Sequence, residues 1–288
     1  ADACLGEGGN RDARDRPTVS LGSRGRVAFR LESRGAARSF HSSLTAIVPN
    51  PAWDIVWAFA GMKGRDERVL IEGFYDDVVQ PTPEERALLE RIDFDEAGTK
   101  AAVGVVAFTL GATGAEITRR LLFEPTLEAA ELAAGPVLDG LQGMPRRAVG
   151  TVRFGLVPHQ DPDRIGALFR RHLDRHGFGH VTLTPLGFRH PGKTPLDHPV
   201  VRGVIRTVEE FFGGEAVVFP ISEWIGAPIW ELAEPLGAPY VSVGTVAAES
   251  RFHVPDESIR LDDFHEGIKF MTRLFRDFAA VASAGERR

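Results

Sequence analysis

Twice in this chain a run of alternating apolar and polar residues breaks off and a proline-capped helix begins, which restricts the fold to layers of sheet and helix. From Arg26 to Arg34, Val27, Phe29 and Leu31 alternate with Arg26, Arg30 and Glu32, the period of a strand buried on one face. Asn50-Pro51 then offers an N-cap and a first-turn proline to a helix with Trp53, Val56, Trp57 and Ala60 on one side. The alternation returns between Arg147 and Pro158 with Val152, Phe154 and Leu156. Asp161-Pro162 opens a second helix carrying Ile165, Leu168, Phe169 and Leu173, and a strand is expected near Val181 to Leu186. The pattern predicts a small sheet covered by helices.

The remainder reads differently. Residues 64–125 are turn-rich, with Pro81, Pro83 and several glycines, and are expected to form an elaboration rather than a domain. After the Pro/Gly-rich stretch from Gly187 to Pro195, a helix over Val200 to Phe212 and short apolar strands at Ala216 to Phe219 and Pro239 to Val243 alternate as in parallel α/β domains. A closing helix is expected to place Phe264, Ile268, Met271, Phe275 and Phe278 on one face, with Asp262 and Asp263 near its positive end.

Composition excludes several classes. With 288 residues, 43% hydrophobic and 26% charged, the chain can bury one large core or two smaller ones. The formal net charge is −6 and bases are scattered among acids, so neither nucleic acid nor an anionic membrane is an expected partner. The single cysteine, Cys4, rules out an internal disulfide and fits a cytoplasmic setting, and no apolar run is long enough to span a bilayer. The chain begins with Ala inside an apparent strand, Ala1 to Leu5, so a truncated front is expected.

Few motifs carry chemistry unaided. His253, in Arg251-Phe252-His253-Val254-Pro255-Asp256-Glu257, falls in a loop after a buried strand, where α/β proteins place ligands. Glu7, a single acid near the first residues, is uninformative by itself. His172, His176 and His180 imitate a helical metal site, yet Gly177 and Gly179 should end the helix first and His172 continues an apolar stripe. Ser20, Ser42 and Ser222 lack the Gly-x-Ser-x-Gly elbow, and Gly111-Ala112-Thr113-Gly114 lacks the end of a phosphate loop.

Several segments together resemble the dimerising dinuclear zinc metallopeptidases, which include carnosine dipeptidases, glutamate carboxypeptidases and acyl-amino-acid deacylases. They are Gly22 to Gly25, Arg38-Ser39-Phe40-His41-Ser42, Val48 to Trp53, Leu70 to Val78, Leu156-Val157-Pro158, Thr194 to Pro199, Leu236 to Pro239 and His253 to Phe264. The resemblance implies an α/β fold: a partial catalytic domain with a parallel-rich sheet, over 1–24 and 191–288, and an inserted lid or dimerisation domain over 25–190, an antiparallel sheet backed by helices. It implies that Glu7 and His253 are zinc ligands and that His41 donates a hydrogen bond to the developing oxyanion at the partner subunit's site. It also implies a homodimer formed through the lid, acting on small peptides or N-acyl amino acids.

The same resemblance marks what these residues lack. The His-x-Asp motif and Glu-Glu pair that hold the two zinc ions and supply the general base are not among them, so the chain alone is expected to retain no zinc and to be inactive. The arginine that grips a substrate carboxylate in the family's Phe-Arg-Leu-Val-Pro wording is Gly155 here, and Ile221 to Pro228 is bulkier than the usual glycine/serine-rich loop. Two readings follow: part of a zinc-dependent peptidase or amidohydrolase completed by residues elsewhere, or a non-catalytic remnant that dimerises or binds. Either leaves sheet edge and apolar surface exposed, so self-association is expected.

Overall fold

The structure, a computed structural model, describes residues 2–38, 40–135, 144–222, 229–251 and 255–285, apart from the side chains of Glu7, Ser42, Ala248 and residues 280–285. In chain order come strands β1 (Cys4–Glu7), β2 (Thr18–Ser20), β3 (Gly22–Ser23) and β4 (Gly25–Arg34), then helices α1 (Pro51–Met62), α2 (Pro83–Leu89), α3 (Glu96–Val103) and α4 (Ala115–Phe123). They are followed by β5 (Thr126–Gly135), β6 (Arg147–Leu156), α5 (Pro162–Arg175), β7 (Thr182–Arg189), β8 (Gly192–Lys193) and α6 (Pro199–Phe212). The last elements are β9 (Val217–Phe219), α7 (Glu234–Leu236), β10 (Tyr240–Gly244) and α8 (Leu261–Gly285). No described helix is long and apolar enough to cross a membrane.

One compact unit comprises Gly25–Val78 and Pro125–His190. Its sheet runs β5-β6-β4-β7, antiparallel throughout. The alternation in β4 and β6 sends Val27, Phe29, Leu31, Val152, Phe154 and Leu156 to one buried face, where they pack with Ile55 and Met62 of α1 and Ile165, Phe169 and Leu173 of α5. Asn50 caps α1 by accepting the Ala52 N–H, and Asp161 caps α5 by accepting that of Arg164, each just before a first-turn proline. The flanking strands each carry one extra residue: Ala130 bulges from β5 and Leu186 from β7, against an unbroken ten-residue register between β4 and β6.

Helix α1 turns the opposite way from what its most apolar residues suggest. Ile55, Ala58 and Met62 face the core, while Trp53 and Trp57 stack with ring centroids 5.4 Å apart on the outer side, each about half exposed. Pro51, Ala58 and the bare backbone of Gly150 permit the close approach of helix to sheet, whereas two indoles would hold it off.

The other unit comprises Ala1–Arg24, Val79–Glu124 and Pro191–Arg288. Its four-stranded sheet runs β1-β10-β2-β9, with β1–β10 and β2–β9 parallel and β10–β2 antiparallel. Val19, Val218, Val241 and Val243 pack with Val201, Val204 and Val208 of α6 and Phe270 and Leu274 of α8. Here the expected face of α8 is corrected in part: Met271 and Phe278 pack part-buried against this core, but Phe264, Ile268 and Phe275 are exposed, and the fully buried positions are Asp263, Phe270 and Leu274.

Residues 79–124 also depart from the continuous lid expected over 25–190, because they cluster with the terminal segments. Leu89, Leu122 and Phe123 bury against Ile221, with Phe219 beside them. Arg24 donates from Nη1 to the Leu121 carbonyl (2.7 Å) and from Nη2 to that of Glu124 (2.8 Å), and Lys193 pairs with buried Glu85 at 2.6 Å.

A β-carbon on Gly150 of β6 would lie 2.5 Å from the Phe59 ring and 2.8 Å from Ile55, so α1 could not keep its seat. Gly150→Ala is therefore expected to cost about 1–3 kcal/mol of stability in urea denaturation; a loss below about 0.5 kcal/mol would show that the helix rides over the addition freely.

Candidate active site

Glu7 ends β1 in parallel register with Val243 of β10, and the two segments stay paired beyond the sheet. Gly8 N–H donates to the Val243 carbonyl at 3.1 Å, Arg11 N–H to that of Val246 at 2.7 Å, and Asn10 and Val246 form a parallel bridge. Glu7 thus leaves the sheet at the carboxyl end of a parallel pair, beside the segment that runs from β10 towards α8 and contains His253. This is where open α/β sheets place ligands. His253 itself and the side chain of Glu7 lie outside the described residues, as do Ser39 and residues 223–228.

A buried cation holds these strand exits together. Arg11, 8% exposed, donates from Nε to the Thr245 carbonyl at 3.0 Å, pairs with Glu266, and lies 5.1 Å over the Phe212 ring. Asp263, 6% exposed at the start of α8, accepts from Ala247 N–H at 3.2 Å and from Arg260 Nε at 2.8 Å. Burial pushes the Asp263 carboxyl up, but the hydrogen bonds from Arg260 and Ala247 and the nearby positive charges outweigh it and hold the group below the usual carboxylate range.

Carboxylate oxygen and imidazole nitrogen are donors that zinc accepts, but a zinc site takes three or four protein ligands. Glu7 and His253 offer two, and among the described residues no three His, Cys, Asp or Glu side chains are placed to hold a metal.

His41 belongs to the other unit, in the loop between β4 and α1 at the start of a short 3₁₀ turn (Ser42–Leu44). It is exposed, and its Nδ1 accepts the Ser43 backbone N–H at 3.2 Å. That contact assigns the proton of the neutral ring to Nε2, leaving Nε2–H as a donor. His172, His176 and His180 of this unit have structural partners. His172 is buried and its ring lies 4.2 Å from that of His176. Burial first, and His176 second, lower its pKa, so it is neutral at pH 7. His180 lies beyond the helix and pairs through Nε2 with Asp54 at 3.0 Å.

The model of Peptidase family M20/M25/M40 matches residues 60–277. The chain belongs to this family. Beta-Ala-His dipeptidase of Homo sapiens is 24% identical over 274 residues, which cover 92% of this chain and 54% of that protein. The same-named rat protein is 22% identical over 276 residues, covering 93% and 56%. Among solved structures, an M20 family metallo-carboxypeptidase, Sso-CP2 from Sulfolobus solfataricus, superposes with a TM-score of 0.85 at 31% identity, covering 95% of this chain and 63% of that one. Human carnosine dipeptidase 1 gives a TM-score of 0.74 at 22% identity, covering 97% and 59%, a likeness of fold. The chain spans about half the length of the curated relatives it matches.

For this M20 chain, sequence reasoning placed Glu7 after a strand and His253 in the loop before the closing helix, but missed Arg11 and gave Asp263 no role distinct from that of Asp262. A usable signal was present: Asp263, Phe270 and Leu274 form a stripe at spacings of seven and four, so Asp263 had to point inwards with them.

Because the Asp263 pKa is depressed by folding, its contribution is fully present above the unfolded value near 3.9 and is lost as pH falls through the lower, folded value. Asp263→Asn is expected to lower stability by roughly 2 kcal/mol at pH 7, with the gap from wild type closing below about pH 4. Urea midpoints measured from pH 7 to pH 3 test this, and a gap independent of pH would assign Asp263 a purely steric role.

Proposed function

We propose that this chain carries the lid and the C-terminal ligand segment of a zinc-dependent dipeptidase-type site. Glu7 and His253 each contribute one ligand to a pair of zinc ions, and the other ligands and the general base come from residues outside these 288. The observation that carries the reading is the joined exit of β1 and β10, which delivers the Glu7 position and the segment of His253 to one end of one parallel strand pair. When bound, zinc would polarise the scissile carbonyl and lower the pKa of a water.

His41 would act in a partner subunit's site. Its Nδ1 is engaged by Ser43, so Nε2–H is the atom offered to a developing oxyanion. A donor aimed at such charge is worth several kcal/mol where water is excluded. Dimerisation would use the outer face of α1, where Trp53, Val56 and Trp57 are exposed, with the adjacent free edge of β5, where Leu132 is exposed. The names of the dipeptidase relatives suggest small dipeptides as substrates, and the free Cys4 suits a cytoplasmic setting.

A second reading, a dimerising or binding module without hydrolysis, is favoured by Gly155, which stands where the family wording has an arginine. Zinc uptake separates the two. Zinc binding to the purified chain, measured by equilibrium dialysis, is expected to be weak and to fall at least about tenfold in both Glu7→Ala and His253→Ala, without hydrolysis of a dipeptide such as β-Ala-His. Uptake indifferent to both substitutions would remove the ligand assignment and leave the second reading.

Self-association is tested separately. Trp53→Ala with Trp57→Ala should shift sedimentation from dimer towards monomer and leave the circular dichroism unchanged, since both indoles are half exposed in the subunit. A wild-type chain that sediments as a monomer would overturn this assignment.

A further inference from the structure

The face of the β5-β6-β4-β7 sheet opposite the helices carries a row of arginines that the site described above does not use. By the register of the sheet, Arg26, Ala28, Arg30, Glu32 and Arg34 of β4 lie opposite Gly155, Arg153, Thr151, Val149 and Arg147 of β6, all on that face. At one end the charges cancel in part, because Glu32 takes Arg34 at 2.6 Å and Arg147 at 2.5 Å, and the Arg147 hydrogen bond, outweighing the effect of burial, lowers its pKa.

At the other end they do not. Arg26, Arg30 and Arg153 are exposed, and among the described residues none of their side chains makes a hydrogen bond or ion pair. Glu128, opposite Arg153 on β5, forms no ion pair with it, and Glu131 is held by the Thr151 hydroxyl at 2.9 Å. With Arg189 of β7 opposite Arg26, four guanidinium groups on this face stand against the carboxylates of Glu128 and Glu131, an excess of two positive charges.

Their spacing is set by the backbone. Arg153 faces Ala28, which sits between Arg26 and Arg30, so Arg153 is the diagonal neighbour of both, at about 7–8 Å. Ala28 and Gly155 leave the floor between them almost bare. Like charges held this close destabilise a sheet, and each guanidinium presents a fork that fits one carboxylate.

We propose that Arg26, Arg30 and Arg153 form an anion site for peptides that carry a second carboxylate, two guanidiniums of the row each holding one. The choice of a peptide rests on the peptidase reading; the anion site does not. Two carboxylates on one residue of a short peptide fall within the reach of diagonal arginines, and two match the uncompensated charge.

Binding of Ala-Glu and of Ala-Ala to the full 288-residue chain, measured by isothermal titration at low salt, tests this without turnover, so a chain that never hydrolyses a peptide still gives an answer. Ala-Glu is expected to bind about tenfold tighter than Ala-Ala, and Arg26→Gln, Arg30→Gln and Arg153→Gln each to lose about five- to tenfold of the Ala-Glu affinity. Arg171→Gln, on exposed helix surface of the same unit, removes equal charge and should leave that affinity unchanged. Because the three substitutions relieve repulsion, none should lower the melting temperature, which guards against misfolding as the cause of lost binding. Equal binding of the two peptides, or an equal loss in Arg171→Gln, would overturn the proposal. Inorganic phosphate binding as tightly as Ala-Glu, with the same dependence on the three arginines, would overturn the peptide assignment.

Discussion

The terminal sheet depends on one pairing between the two ends of the chain, that of β1 with β10. Parallel neighbours require a crossover, and here nearly the whole molecule intervenes between Glu7 and Val243. Because the strand exits remain hydrogen-bonded through Gly8, Arg11 and Val246, the pairing fixes the first turn of both loops as well as the sheet. Arg11 and Asp263 complete that arrangement, the first donating to the Thr245 carbonyl and the second accepting from the Ala247 N–H. A loop built in this way starts from a defined position.

Strand alternation was the most legible part of the fold. Val27, Phe29 and Leu31, and their counterparts in β6, can serve only as a half-buried antiparallel pair, and the Asn50-Pro51 and Asp161-Pro162 caps locate the helices that cover them. What the sequence left open was the direction in which α1 and α8 turn. Both carry apolar residues on more than one side, and hydrophobicity alone ranks Trp53 and Trp57 above Ala58. Packing reverses the ranking, since a helix crossing Gly150 needs a small contact surface. The attachment of residues 79–124 was hidden for another reason: Leu89, Leu122 and Phe123 find their partner in Ile221, too far along the chain for local pattern to reveal.

Glu7, His41 and His253 were singled out in the sequence by their neighbours rather than by their own chemistry. Arg11 was invisible because its role depends on Thr245 and Phe212 from distant segments. The arginines of β4 and β6 were visible as polar members of the alternation. Their juxtaposition, and the want of counter-ions at Arg26, Arg30 and Arg153, follow only from the register, which sequence does not specify. A row of charges on a solvent face looks like ordinary surface until cross-strand neighbours are known.

The bulges at Ala130 and Leu186 bear on that row. A two-residue slip would keep every apolar side chain on its own face and is the error a regular sheet resists least. Here the straight β4–β6 pair is bracketed by two strands that each skip a residue at a different place, Ala130 beside Val152 and Leu186 beside Phe29, so the central pair has two independent reference marks. A slipped partner would meet each mark out of phase. The sheet thus behaves like a vernier scale, and the intervals between its charges are calibrated by main-chain irregularities on the two strands that do not carry the unpaired arginines.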